Sequence, residues 1–304
     1  MKNRYSKVVL EADKGITFKV SKGTNGQIII RARKVHAVNI YSKNYVNPPI
    51  PEGYKHVEGE WNNGFVIERC SDGSQFVWIP VEYLNSDGTL DGKHFSKKFG
   101  RRNYQNDDFS DEGCKEYLRE DLIKQIESIK KYGGFYISRY NISKSLEGEP
   151  QSVKGAKPWT YINYIDAKKV ASEFENSEDI KSHLPFGAEY DSVLAWFIKS
   201  KARTINDIVK DSINWGNYSN TKNSPKEMVE TGSNEQWCTN RIYDFTGNVE
   251  EWKQEEAERG AFRVIRSGYY DGNGKYYPAA ARFKNYHPRE KLKYLGFRVT
   301  LYIK

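Results

Sequence analysis

The run Tyr243-Asp244-Phe245-Thr246-Gly247-Asn248-Val249-Glu250-Glu251-Trp252 carries more architectural information than any other in the chain. Gly247-Asn248 is turn chemistry: glycine takes positive φ without steric cost, and a short amide side chain bonds nearby backbone. On that reading Asn248 caps its own turn and Trp252 is core. The surroundings agree. From about residue 200 the chain is rich in Asn, Gly, Ser, Tyr and Trp and poor in helical stripes. So much loop in a compact domain marks function, bound metal, or both.

Upstream of the turn the pattern is mixed α and β. Three helices are expected. One begins at Ser110 and runs to about Tyr132, with Leu118, Leu122, Ile126 and Ile129 at helical spacing and Gly133-Gly134 as its stop. A second is announced by Asn163 with Asp166, an N-cap pair ahead of Ala167, Val170, Ala171 and Phe174. A third starts after Pro185, near Gly187, and turns Val193, Leu194 and Phe197 inward. Phe65 to Glu68, Gln75 to Val81 and Phe135 to Ile137 read as strands, and residues 85–110 as an irregular polar loop.

Residues 1–45 read as a small β domain: Lys7 to Ala12, Gly15 to Val20 and Gln27 to Tyr41, separated by Asp13-Lys14-Gly15 and Gly23-Thr24-Asn25-Gly26. A piece of this size is near the lower limit for folding alone, so it is expected to serve as an anchor or a homo-oligomer unit. Residues 46–53, with Pro48, Pro49 and Pro51, read as a stiff linker, and 54–304 as the main domain.

Composition excludes several classes. With 38% hydrophobic and 14% aromatic residues among 304, the chain is not disordered throughout. No apolar run approaches the roughly 18–20 residues of a membrane span, so membrane insertion is excluded. The basic start reaches only Val8-Val9-Leu10 before Glu11, too short for a signal peptide. A cytoplasmic or virion-associated location is expected, with export by a non-standard route left open. The net charge of +8 invites a nucleic-acid reading, but Lys97-Lys98 and Arg101-Arg102 are followed at once by Asp107-Asp108 and Asp111-Glu112. That is a solvated surface, and no nucleic-acid partner is expected. Cys70, Cys114 and Cys238 are too few and too far apart for a zinc ribbon or a disulfide scaffold.

Motifs in order resemble one family. Leu184-Pro185-Phe186-Gly187-Ala188-Glu189-Tyr190 is similar to a Leu-Pro-x-x-Ala-Glu-Trp signature. The stretch from Asp244 to Trp252 is similar to Asp-x-x-Gly-Asn-Val-Trp-Glu-Trp. Arg266-Ser267-Gly268, Ala280-Ala281-Arg282 and Gly296-Phe297-Arg298-Val299 complete the set. Over about residues 60–303 the chain resembles the formylglycine-generating enzyme, or sulfatase-modifying factor, domain family. The resemblance implies an α+β, C-type-lectin-like fold. A second resemblance is to the variable proteins of diversity-generating retroelements, which share that fold and end near Gly-Phe-Arg.

The family's oxidases use a cysteine pair with copper, placed between the motifs that match Arg266-Ser267-Gly268 and Ala280-Ala281-Arg282. Here residues 269–278 contain no cysteine and none follows Cys238. Soft thiolates are what bind Cu(I), so no copper and no catalytic residues of that type are expected. The five histidines show no ligand spacing. An enzyme of this fold would need a non-standard metal site drawn from His287, His183, Cys238 and nearby carboxylates. That is the alternative reading, and a structural virion subunit is a third.

The resemblance also implies a structural Ca²⁺, held by the carbonyls of Asp244, Gly247 and Val249 and the side chain of Glu251. Hard oxygens from a tight turn suit that ion. Glu250 stands where the family has Trp, either adding a carboxylate or facing solvent. The plain turn and the calcium site stand here as equal readings. Between 269 and 294, Tyr269, Tyr270, Tyr276, Tyr277, Phe283, Tyr286 and Tyr294 interleave with Asn273, Asn285 and His287. Tyr and Asn are what recognition loops use. Core packing and an A/T-rich codon bias would also enrich tyrosine, and Phe283 is expected to face inward. The expected function is therefore non-enzymatic recognition of a glycan or protein on a cell surface, by a phage, prophage or surface-attached binder.

Overall fold

The computed structural model describes residues 16–22, 28–34, 48–61, 63–81, 99–104, 113–257 and 260–304. The first element is an antiparallel hairpin, β1 (Ile16–Lys22) with β2 (Ile28–Lys34), in register from Ile16 opposite Lys34 to Lys22 opposite Ile28. These are two of the strands expected at the N-terminus; the segment Lys7 to Ala12 lies outside the described residues. The proline stretch from Pro48 is not a free spacer. Pro48, Pro49 and Pro51 are buried, and the Tyr136 hydroxyl donates to the Pro49 carbonyl at 2.9 Å. Prolines lack an N–H to satisfy, which lets them lie on a core at little polar cost.

The main body opens with the meander β3 (Tyr54–Glu58), β4 (Val66–Arg69) and β5 (Gln75–Pro80). After the short β6 (Cys114–Lys115) come α1 (Glu120–Tyr132) and β7 (Gly134–Ser138). A small hairpin, β8 (Ser143–Lys144) with β9 (Pro150–Gln151), leads to α2 (Tyr164–Glu173), β10 (Ile180–His183), α3 (Gly187–Lys199) and α4 (Ile205–Val209). The loop-rich part holds the pair β11 (Cys238–Thr239) and β12 (Ile242–Tyr243), then β13 (Glu250–Ala257), β14 (Phe262–Arg266), β15 (Phe283–Tyr286), β16 (Leu295–Gly296) and β17 (Thr300–Ile303).

The architecture is α+β, as expected. One sheet runs β10-β17-β7-β5-β4-β3; its central strands β17, β7 and β5 are buried on both faces, whereas the edge strand β3 is largely exposed. Phe76 and Trp78 of β5 face a cluster with Ala167 and Ala171 of α2, Trp252 and Phe297. Val77 and Ile79 face a second cluster with Val193, Leu194 and Phe197 of α3 and Trp215. Strict alternation thus sends each half of an apolar strand to a different helix. The second sheet runs β15-β14-β13-β16, with β6 pairing at the far end of β13.

The helix signals hold with one shift. Asn163 Oδ1 accepts from the Asp166 N–H at 2.8 Å, and α3 begins at Gly187. α1 begins at Glu120 rather than Ser110 and ends on Gly133 at φ 80°. Leu118, expected in its stripe, precedes the helix and is 71% exposed. The reason lies in Glu116, whose carboxylate accepts from the Gly187 and Ala188 N–H groups at 2.5 and 3.0 Å. The carboxyl oxygens satisfy two N–H groups of the first turn of α3, and that tether holds Glu116 outside α1.

Candidate functional site

The family-like motifs converge on β13. Every residue of this strand, Glu-Glu-Trp-Lys-Gln-Glu-Glu-Ala, is buried. Each motif arginine answers one of its acids or a neighbour. Arg298 Nε donates to Glu251 Oε1 at 2.7 Å, and its remaining nitrogens reach the carbonyls of Ser138, Arg139 and Tyr243. Arg266 Nη2 bonds Asp191 Oδ1 at 3.0 Å. Arg282 bonds Asp191 Oδ2 and reaches Glu255 Oε1 at 3.1 Å. Arg101 meets Glu255 at 2.6 Å, and the Arg102 N–H donates to Asp191 Oδ2 at 2.7 Å. So the end of the basic run expected at the surface is turned inward on two acids. In the first motif, Glu189 accepts from the Phe186 N–H at 2.7 Å and lies 2.9 Å from His183 Nε2. Tyr190 stacks on Phe245 of the second motif, centroids 4.5 Å apart. These residues build the scaffold rather than a binding surface.

The turn at 244–248 is tied outward. Asn248 does not cap its own turn: Oδ1 accepts from Asn217 Nδ2 at 3.2 Å and the Val229 N–H at 3.1 Å, and Nδ2 donates to the Val229 carbonyl at 3.2 Å. Its own φ of 59° swings the amide away toward those loops. Gly247 is the position where only glycine fits. At φ 71° a Cβ would sit 2.6 Å from the Asn217 carbonyl oxygen and 2.7 Å from its nitrogen, both backbone atoms. We expect Gly247→Ala to cost at least about 1–3 kcal/mol in backbone strain, read as a lowered urea midpoint. Trp252 is core as expected, its Nε1 donating to the Ile162 carbonyl at 2.9 Å.

The residues present do not fit a calcium ion held by Glu251. Its Oε1 is taken by Arg298 and by Asn141 Nδ2 at 2.9 Å, and its Oε2 by Lys253 Nζ at 2.6 Å. Burial pushes its carboxyl up, but Lys253 and Arg298 outweigh burial and hold it below the usual range. A dication would have to displace two cations. Asp244 Oδ2 is engaged by Thr231 and the Gly232 N–H, leaving Oδ1 alone without a partner. Among the described residues no group of three His, Cys, Asp or Glu side chains is arranged to hold a metal ion. Accordingly, thermal unfolding with calcium and with chelator is expected to give the same midpoint. Binding at a hundredfold excess over its dissociation constant would add about 2.7 kcal/mol, so a rise of several degrees would restore the calcium reading.

The histidines and cysteine of the enzymatic alternative are not gathered. His183 is buried against Glu189, and its ring lies beside Phe186 and Tyr302. His287 is exposed in a local turn with Glu290. Cys238 is half-buried on β11, and burial raises its thiol pKa, which disfavours the reactive thiolate.

The aromatic residues are brought together. Tyr269 stacks on Tyr294 at 4.5 Å and meets Tyr277 edge-on at 5.5 Å. Tyr277 tilts against Phe283 at 4.8 Å, and Tyr286 meets Trp252 at 6.4 Å. Tyr269, Tyr277, Tyr286 and Tyr294 are half-buried, and Phe283 packs on the core as expected. Tyr276 is 67% exposed, whereas Tyr270 is only 9% exposed and belongs to the support. Asn273 holds the loop: its Oδ1 accepts from the Lys275 N–H at 2.9 Å and its carbonyl from Tyr276 and Tyr277. Asn285 lies in β15, its side chain outside the described residues.

Beneath these rings is a residue the sequence reading left undecided. Glu250 is fully buried, and neither carboxylate oxygen has a hydrogen bond of ordinary geometry. It does not face solvent. Burial pushes its pKa up to about 8, and the nearby Tyr286 hydroxyl works against that rise.

No family model and no curated protein matches the sequence. Solved structures do resemble the fold. PvdO from Pseudomonas aeruginosa aligns with TM-score 0.48 at 14% identity, over 78% of this chain and 97% of that one. Treponema denticola variable protein 1 aligns with TM-score 0.39 at 16% identity, over 55% and 84%. The M1 variant of a major tropism determinant aligns with TM-score 0.40 at 10% identity, over 96% and 74%. No helix among the described residues is long and apolar enough to cross a membrane.

Proposed function

We propose that this chain is a non-enzymatic recognition protein of C-type-lectin-like type, which presents the tyrosine surface of residues 269–294 to a glycan or protein on a cell surface. A receptor-binding or variable protein of a phage, prophage or cell surface is the role it suits. The observation that carries the reading is the packing of Tyr269, Tyr277, Tyr286 and Tyr294 into one half-exposed patch on the buried frame of β13 and β14. Half-exposed rings held by a rigid frame lose little entropy when they bind. The N-terminal hairpin of β1 and β2 suits an anchor that displays the larger domain.

Glycan and cell-binding arrays test it, with Tyr269→Ala, Tyr277→Ala and Tyr294→Ala measured beside wild type. A hot-spot tyrosine contributes about 2 kcal/mol or more, so at least one variant is expected to lose ~10-fold or more in affinity. Binding unchanged in all of them would remove the site.

A further inference from the structure

We infer that the surface formed by Tyr269, Tyr286 and Tyr294 over Glu250 is a receptor for an ammonium cation, a protonated or N-alkylated amine carried by the ligand. This deepens the proposed function and rests on it for the location of the site.

Glu250 enters β13 with its backbone fixed: its N–H donates to the Tyr294 carbonyl at 2.8 Å, and it pairs with Leu295 of β16. The next acid along the strand, Glu251, has two cations and an amide. Glu255 has Arg101 and Arg282, and Glu256 has Arg119 and Arg263. Glu250 alone among these four has no cationic partner among the described residues. Its electrostatic neighbours are tyrosine hydroxyls. Burial first, and Glu250 next, push the Tyr286 and Tyr294 hydroxyls to higher pKa; for Tyr269 burial and Tyr277 come before Glu250. Strand alternation puts Glu250 on the same face of β13 as Trp252, which meets Tyr286 edge-on at 6.4 Å and shares a cluster with Tyr286 and Tyr294, so the carboxyl lies on the side of the rings.

A buried carboxylate without a partner is costly, and a protein scaffold that supplies arginines to every neighbouring acid leaves this one for something else. Ring faces attract cations through their quadrupole, most strongly when the cation is desolvated. An arriving ammonium displaces the proton that Glu250 keeps up to about pH 8, so at pH 8 and above carboxylate and rings together select positive charge on a small apolar body, and the titrations belong at that pH. An anion meets the wrong sign at Glu250, and a neutral sugar can offer it hydroxyl donors but no compensating charge. A primary ammonium, as on a lysine side chain, and a quaternary one, as on a choline headgroup, share this chemistry.

The test titrates the full chain with choline, with its neutral isostere 3,3-dimethylbutan-1-ol, and with Nα-acetyl-lysine amide, following tyrosine fluorescence and calorimetric heat. We expect choline or the lysine probe to bind at least ~10-fold more tightly than the neutral alcohol. Whichever of the two binds better identifies the source. Glu250→Gln keeps shape and removes charge, and should erase the preference; Tyr294→Ala should weaken the cation with Glu250 intact. Equal affinity for choline, the lysine probe and the alcohol, or a preference that survives in Glu250→Gln, overturns the inference. Array binding that the tyrosine variants abolish, with no competition by either cation, sinks this inference and leaves the recognition reading standing. Cation binding at Glu250 with arrays insensitive to the tyrosines does the reverse.

Discussion

Glu251→Gln is expected to destabilise the protein by about 3–5 kcal/mol, among the largest effects of any single side chain. Glu251, Lys253 and Arg298 are all fully buried. The substitution removes the one anion between two cations and leaves them facing each other in a medium that screens poorly. Burial already lowers the Lys253 pKa to about 8 against the pull of Glu251. Without that pull, Lys253 sheds its proton more readily, which caps the loss. Urea unfolding at pH 7 reads the effect. The double variant Glu251→Gln/Lys253→Met should recover part of the stability, because it removes one of the stranded charges. A structural calcium ligand would behave differently: its removal would abolish a calcium-dependent shift and leave the chelated protein unchanged.

Glu250→Gln is expected to stabilise the protein at pH 8 by on the order of a few kcal/mol and to change little at pH 4.5. The sign follows from the proton count. With its pKa raised to about 8, native Glu250 keeps a proton that the unfolded chain has lost above the usual carboxylate range. The native state binds more protons through that window, so wild-type stability is full below it and falls as pH rises through 8. Glu116, raised to about 8 by burial and by Glu255, contributes a parallel fall that the variant keeps. Lys253 works oppositely between about 8 and 10.5, where the unfolded chain binds the extra proton. Urea midpoints at pH 4.5, 6 and 8 isolate Glu250. A variant as pH-dependent as wild type would mean that Glu250 does not hold the proton.

Much of the framework was legible along the chain. Asn163 with Asp166, the Gly133 stop, and the Val193, Leu194 and Phe197 stripe all work through neighbours one helical turn away, so local spacing is enough to find them. The aromatic enrichment of 269–294 also showed, since it needs only counting. The Leu118 miss has a local look but a distant cause: Glu116 is held by the N-terminus of α3, some 70 residues on.

What the sequence by itself determined is the mixture of helices and strands, the turn at Gly247 and the tyrosine-rich segment, because each depends on backbone preference or period within one element; the α+β, lectin-like class came from the resemblance of the ordered motifs. Tertiary structure alone decided the fate of the charges. Along the chain Glu250 stands between adding a carboxylate and facing solvent, and Glu251 is read as a calcium ligand; their meaning changes once every residue of β13 is buried. A charge's cost depends on what surrounds it in space. Arg266, Arg282 and Arg298 reach the acids of β13 from other parts of the chain, and nothing in the local pattern around Glu250 reveals that none of them reaches it.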